Sequence, residues 1–385
     1  MRIVYFYPDF KEFGGTQRVL VDKMNYLADC YSEEVILLTY SQGVSPIIYT
    51  LSSKVKHFDL EMDYIPLYRY NRFFRFFKML KYDFFLKKRF NTLMGKLKPD
   101  VVITTTYFYN LVSIVASCSI PYVRIMESHI GIRYLFSNSK ESRKNIWKWM
   151  YESYKLNVIT RKARKYDMLV ALNQTDANDW RKYVKTRVIK NVVHPNLMRK
   201  MSDLQSKRIV FVGRLVEQKG VFDLLEIWKK VHQKHPDWYL DIYGDGELRK
   251  KLEKIIKSLK IGICLHSPVF DIFKRYAESS MLLLTSLYEP FGLVMPEAMS
   301  CGLPVVAFDC PDGPSLFIKD GKNGFLVKNR DVSAFSDRVC CLIDSLELRK
   351  QMGIAALQSS VYFAPEHIMP QWISLFKELL ENRQQ

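Results

Sequence analysis

Short runs of consecutive apolar residues alternate with helix-length amphipathic stretches from the first residues of the chain onward. The runs at 3–7, 35–39, 55–60, 101–105, 122–126, 168–172 and 188–192 are continuously apolar rather than alternating. Strands covered on both faces read this way, so the pattern predicts a parallel sheet flanked by helices. It restarts at 208–212 and continues with 239–243, 261–265, 281–285 and 305–308, each followed by helix-length sequence. The predicted fold class is α/β, with two doubly wound Rossmann-like domains at residues 1–190 and 206–365. Residues 191–205, with His194-Pro195-Asn196, read as the linker between them.

Composition narrows the class. A chain of 385 residues exceeds what one hydrophobic core usually serves, in keeping with two domains. Apolar residues at 48% and charged residues at 25% exclude intrinsic disorder. The longest apolar stretch, 111–126, is cut by Pro121 and Arg124 and falls short of the roughly 20 residues a bilayer span needs. The apolar piece after Met1-Arg2 is too short for a signal peptide, so the expected location is the cytoplasm. Seven scattered cysteines without a Cys-x-x-Cys pair read as reduced thiols, and no metal or other cofactor is expected.

The net charge of +18 is unevenly placed: residues 1–190 hold 32 Lys and Arg against 17 Asp and Glu, the remainder 26 against 23. The first half therefore expects an anionic partner. Within it, residues 68–90 carry eight cations, among them Arg75, Lys78, Lys81, Lys87 and Lys88, against Asp83 alone. Phe73, Phe76, Phe77, Leu80 and Phe84 follow one helical face, which predicts packing onto the sheet. Phe74 and Phe85 fall on the side shared with the cations, a combination suited to an anionic membrane surface. The basic run Arg161-Lys162-Ala163-Arg164-Lys165 is expected to extend that surface.

Ligands of open α/β sheets bind beyond the carboxyl ends of strands, and three motifs stand there. Gly14-Gly15 follows the first run and opens a helix whose N-terminal amides suit an anion. The nicotinamide fingerprint Gly-x-Gly-x-x-Gly is missing at this point, and no P-loop occurs in the chain. Gly213-Arg214-Leu215-Val216-Glu217-Gln218-Lys219-Gly220 puts two cations on a glycine-bounded loop, a chemistry that neutralises a diphosphate from two sides. Glu289-Pro290-Phe291-Gly292-Leu293 follows the 281–285 run, and Glu297 stands among apolar neighbours of the next helix, where its carboxylate needs donors such as ligand hydroxyls.

In this order the motifs resemble retaining glycosyltransferase family 4. Glu289 to Glu297 is similar to its Glu-x7-Glu signature, and Gly213 to Gly220 to its Gly-Arg-Leu-x-x-x-Lys-Gly loop. Gly244-Asp245-Gly246-Glu247, Cys301-Gly302-Leu303-Pro304-Val305-Val306 and Gly14-Gly15 complete the series. The resemblance implies the B-type glycosyltransferase fold, two domains facing across a cleft, with the acceptor on the first and a nucleotide sugar on the second. It implies that Arg214 and Lys219 bind the donor diphosphate, Glu297 the ribose, and Glu289 the transferred sugar. Backbone amides of Phe291, Gly292, Leu293 and Gly15 would hold phosphate or sugar, and His129 would stand near the sugar. The segment Asp309-Cys310-Pro311-Asp312-Gly313-Pro314 resembles that of members using UDP-hexose or UDP-N-acetylhexosamine donors, although Asp312 replaces their usual Thr. The absence of Asp-x-Asp agrees with metal-free stabilisation of the leaving UDP. The resemblance also implies that residues 366–385 return to the first domain.

The reading is a retaining transferase that moves a hexose or N-acetylhexosamine from a UDP-sugar to a lipid-linked or cell-surface glycan, peripheral at the inner membrane face. An epimerase or hydrolase of the same fold is the nearer alternative. A basic nucleic-acid-binding protein is the further one; it carries no recognition-module signature and leaves the glutamate pair unexplained, so no nucleic-acid partner is expected.

Overall fold

The computed structural model describes residues 1–62, 72–135, 146–193 and 201–384. Residues 68–71 of the basic stretch, the side chains of 72–80, and residues 194–200 of the linker lie outside the described parts. The chain divides into two compact units, residues 1–192 with 365–385, and residues 193–364.

In the first unit seven parallel strands alternate with helices. They are β1 (Arg2–Phe6), β2 (Glu34–Thr39), β3 (Lys56–Asp59), β4 (Val101–Thr105), β5 (Val123–Ser128), β6 (Met168–Ala171) and β7 (Thr186–Val188), in the sheet order β3-β2-β1-β4-β5-β6-β7. The helices are α1 (Gly15–Cys30), α2 (Arg72–Leu97), α3 (Tyr109–Ala116), α4 (Ile146–Ala163) and α5 (Gln174–Trp180). Side chains of β1, β2, β4 and β5 are buried on both faces, as their unbroken apolar sequence requires. One face packs Val4, Val102 and Met126 under α2 and α3; the other packs Ile3, Tyr5, Ile103 and Ile125 against Leu20, Met24 and Leu27 of α1.

The second unit repeats the plan with β8 (Arg208–Val212), β9 (Tyr239–Tyr243), β10 (Ile263–His266), β11 (Leu282–Leu284), β12 (Val305–Asp309) and β13 (Gly324–Lys328), ordered β10-β9-β8-β11-β12-β13 and parallel throughout. Its helices are α6 (Val221–Lys234), α7 (Arg249–Leu259), α8 (Ile272–Ala277), α9 (Val294–Met299), α10 (Val332–Asp344) and α11 (Leu346–Ser360). The last helix, α12 (Pro365–Gln384), belongs to the first unit, where Trp372, Leu375 and Phe376 join the core beside α1.

Three expectations are corrected. The run at 188–192 holds only the end of β7, and β13 is a strand that the pattern did not single out. Phe84 is 65% exposed rather than part of the buried face of α2. Among the described side chains of α2 the buried ones are Tyr82, Leu86, Phe90 and Met94, each one turn from the next, and Phe84 stands about half a turn away from that row.

Candidate functional site

Strand order reverses between β8 and β11 in the second unit, and the crevice beyond their carboxyl ends is where an open sheet receives ligands. Both signature loops start there. Gly220 takes a left-handed backbone (φ +60°), and a Cβ on it would come within 1.9 Å of the Thr285 carbonyl oxygen. This glycine lets the two loops touch, after which hydrogen bonds fix them: Thr285 Oγ1 donates to Lys219 O (2.9 Å), Leu287 N to Gln218 O (2.8 Å) and Gln218 Nε2 to Tyr288 O (3.0 Å). Gly244 performs a similar service, since a Cβ there would lie 1.9 Å from Gly213 O.

The consequence is a direct ion pair between Lys219 Nζ and Glu289 Oε1. Ser286 Oγ donates to the same carboxylate oxygen at 2.9 Å. Glu289 is buried, and Gly313 presses against its Cβ and backbone so closely that a Cβ on the glycine would stand 2.6 Å away. Burial, reinforced by the Glu289 charge, pushes the neighbouring Cys310 thiol up to about 12, so that it stays protonated beside this pair. An ammonium carries three donors, so Lys219 can hold Glu289 and an incoming anion together. Arg214, in contrast, is exposed, and its guanidinium has no hydrogen-bond or ion-pair partner among the described residues.

Phe291, Gly292 and Leu293 lead into α9, and their amides have no backbone acceptor among the described residues. The Phe291 side chain is buried against the rings of Phe317 and Phe363 (centroids 4.8 and 6.0 Å), so it anchors this turn through packing. Glu297 lies buried inside α9, and its Oε2 accepts from Tyr276 Oη at 3.3 Å.

Gly15 and His129 belong to the first unit, and each is described there. Gly15 is the first residue of α1, at the carboxyl end of β1 and the point where strand order reverses between β1 and β4. His129 follows β5, and its Nε2 lies 3.0 Å from Glu127 Oε2. Glu127 in turn forms a buried ion pair with Lys23 of α1. The pattern of residues had not singled out Lys23 or Glu127 for chemistry; the available signal was a cation at an apolar position of α1, between Leu20 and Met24.

A second polar cluster was also missed. Asp241, Cys264 and His266 bring ligand-type atoms within 4.8 Å of one another. Arg208 lies bidentate on Asp241, with Nε 2.6 Å from Oδ2, so the cation of this cluster is a guanidinium. A cavity of about 520 Å³ opens beside it, lined by Tyr243, Pro268 and Arg275 among others.

Comparison with known proteins agrees with this architecture. Residues 197–359 match the family model described as glycosyl transferases group 1. An uncharacterised glycosyltransferase of Haemophilus influenzae is 27% identical over 383 residues, 96% of this chain and 98% of the relative. A Campylobacter jejuni enzyme described as GalNAc-alpha-(1->4)-GalNAc-alpha-(1->3)-diNAcBac-PP-undecaprenol alpha-1,4-N-acetyl-D-galactosaminyltransferase is 26% identical over 95% of this chain and 96% of its own. The crystal structure of a Staphylococcus aureus TarM mutant in complex with fondaparinux, alpha-GlcNAc-glycerol and UDP superposes with a TM-score of 0.76 at 16% identity, covering 98% of this chain and all of that one.

Proposed function

We propose that the chain, a glycosyltransferase whose residues 197–359 match the glycosyl transferases group 1 model, transfers a hexose or N-acetylhexosamine from a UDP-sugar to a lipid-linked or cell-surface glycan, with retention of the anomeric configuration. The observation that carries this reading is the convergence of Lys219 and Glu289 at the strand-order reversal of the second sheet, with the exposed, unpartnered Arg214 on the same loop. One loop supplies two positive charges for a diphosphate and the other a fixed carboxylate for the sugar.

On this reading the departing UDP gathers negative charge, which Arg214 and Lys219 oppose more strongly as it develops. The amides of Phe291, Gly292 and Leu293 add donors that need no reorganisation. The anomeric centre becomes oxocarbenium-like, and the acceptor hydroxyl attacks from the face that UDP leaves, giving its proton to a phosphate oxygen. Glu297 binds the ribose hydroxyls, and Glu289 and His129 contact the sugar. The charge stabilisation assigned to the protein is complete without a metal.

The basic surface of α2 supports a membrane-anchored acceptor. Phe84 and Phe85 are exposed, with the Lys81 ammonium 5.9 Å from the Phe85 ring centroid. Burial together with the charges of Lys165, Lys87 and Arg161 lowers the Lys162 ammonium, so cations of α2 and of the last turn of α4 lie close enough to interact. Among the described residues no helix is long and apolar enough to cross a membrane; on this reading it is the basic, aromatic surface of α2 that holds the enzyme peripherally on the anionic inner face.

Incubation with a panel of UDP-sugars, with and without lipid-linked acceptor, tests the function. A new α-linked product, formed from an α-linked donor only when acceptor is present, is the expected result. Sugar released or epimerised equally without acceptor would replace it with the hydrolase or epimerase reading.

A further inference from the structure

Lys23 is a lysine without access to water. It occupies the core-facing side of α1, where it is 1% exposed, and its Nζ meets the carboxylate of Glu127. Its ammonium also lies 4.3 Å from a ring centroid of Trp372 on α12 and 5.7 Å from that of Tyr5 on β1, so three elements enclose it. Burying an ammonium this way is costly, and replacing such a pair as a whole by hydrophobic residues is often neutral or stabilising. The charge is retained beside a carboxylate that has a second partner, the ring of His129 at 3.0 Å.

Lys23 and His129 both meet one oxygen of this carboxylate, Oε2. Burial alone would raise its pKa, but the charge of Lys23 and the hydrogen bond from His129 bring it down to about 2. An ionised carboxylate only accepts hydrogen bonds, so the imidazole nitrogen facing it must carry a proton. Glu127 ends the β5 ladder opposite Thr105 of β4, which fixes its backbone, while His129 follows the strand directly.

Resting on the proposed transferase reading, we propose that Lys23 and Glu127 are positioning residues for His129: the anchored carboxylate accepts the Nε2–H, which in the neutral ring leaves Nδ1 as the acceptor offered to a hydroxyl of the bound sugar or glycan. The lysine orients the carboxylate, the carboxylate orients the ring, and Trp372 makes the last helix part of the support. The arrangement is that of an orienting acid behind a functional histidine, with a buried ammonium as the anchor of the acid.

Two double variants separate positioning from mere packing. Lys23→Met with Glu127→Gln removes both charges but keeps a carbonyl to accept the Nε2–H. Lys23→Met with Glu127→Leu removes the acceptor as well. Transfer by the Gln variant is expected within about tenfold of wild type, whereas the Leu variant loses about 100-fold in kcat with an unchanged donor KM. Equal kcat values for the two folded variants would overturn the proposal. The second measurement needs no variant of the pair and no substrate: ¹⁵N-histidine spectra of the wild type, assigned by loss of a resonance in His129→Asn, should show a slowly exchanging proton on Nε2. A proton on Nδ1 instead would overturn the proposal. A wild type inactive with every donor would remove the transferase reading, while the spectra would still decide whether Glu127 orients the ring.

Discussion

The ammonium of Lys219 and the carboxylate of Glu289 meet across two loops that are 70 residues apart in the chain. Neither residue can therefore be changed without altering the environment of the other. Lys219→Ala removes the phosphate ligand proposed here and also leaves a buried carboxylate with Ser286 as its donor. We expect kcat/KM to fall by about 100-fold or more and stability to fall by about 1–3 kcal/mol in urea unfolding. Wild-type turnover in the alanine variant would remove Lys219 from the donor site.

Gly220 tests whether that meeting depends on the backbone. A methyl group at this position would overlap the Thr285 carbonyl and strain a left-handed residue. Gly220→Ala is expected to cost about 1–3 kcal/mol through this overlap and to reduce UDP affinity. A urea midpoint equal to wild type would show that the loops do not pack as described.

Glu297 is buried beside Tyr276, and the ligand proposed for it is a ribose hydroxyl. Calorimetry with UDP and 2′-deoxy-UDP should show a preference for UDP in the wild type that largely disappears in Glu297→Gln. An undiminished preference would place the ribose elsewhere.

Acid sensitivity follows from Glu127. Its carboxyl is lowered from 4.5 to about 2 in the folded protein, so the stabilisation is complete above about 4.5 and is lost as pH falls toward about 2. The groups facing it are Lys23 from α1, His129 after its own strand and the Tyr5 hydroxyl from β1. Removing only the lysine, in Lys23→Met, should cost about 3–5 kcal/mol at neutral pH by stranding a buried charge. The double variants with a neutral residue at 127 should recover most of that loss. Thermal unfolding between pH 3 and pH 7 measures both effects, and a single variant as stable as wild type would mean that water reaches the carboxylate.

Membrane attachment is predicted to depend on two side-chain types together. Phe84→Ser with Phe85→Ser should weaken flotation with anionic vesicles, and Lys81→Glu with Lys87→Glu and Lys88→Glu should abolish it at low salt. Flotation of the charge-reversed protein at wild-type levels would point to another surface.

The unbroken apolar runs determined by themselves that two parallel sheets would form, because a strand buried on both faces has no polar alternate. The glycine-bounded cation loop and the paired glutamates were also legible, since the motif order and the strand ends identify them without knowledge of any contact. The sequence did not show that Lys219 grips Glu289, because that contact joins two crossovers that become neighbours only through strand order. It did not show which side of α2 is buried, because aromatic residues stand on both sides, and among the described residues it is the row Tyr82, Leu86, Phe90 and Met94 that is buried in the core. Lys23, Glu127 and His129 are separated by more than a hundred residues and a shorter step of two, and the buried charge pair exists only once α1 lies across β5. Local pattern decides whether a residue prefers helix, strand or turn, whereas the partner of a buried charge is decided by which elements the fold brings together.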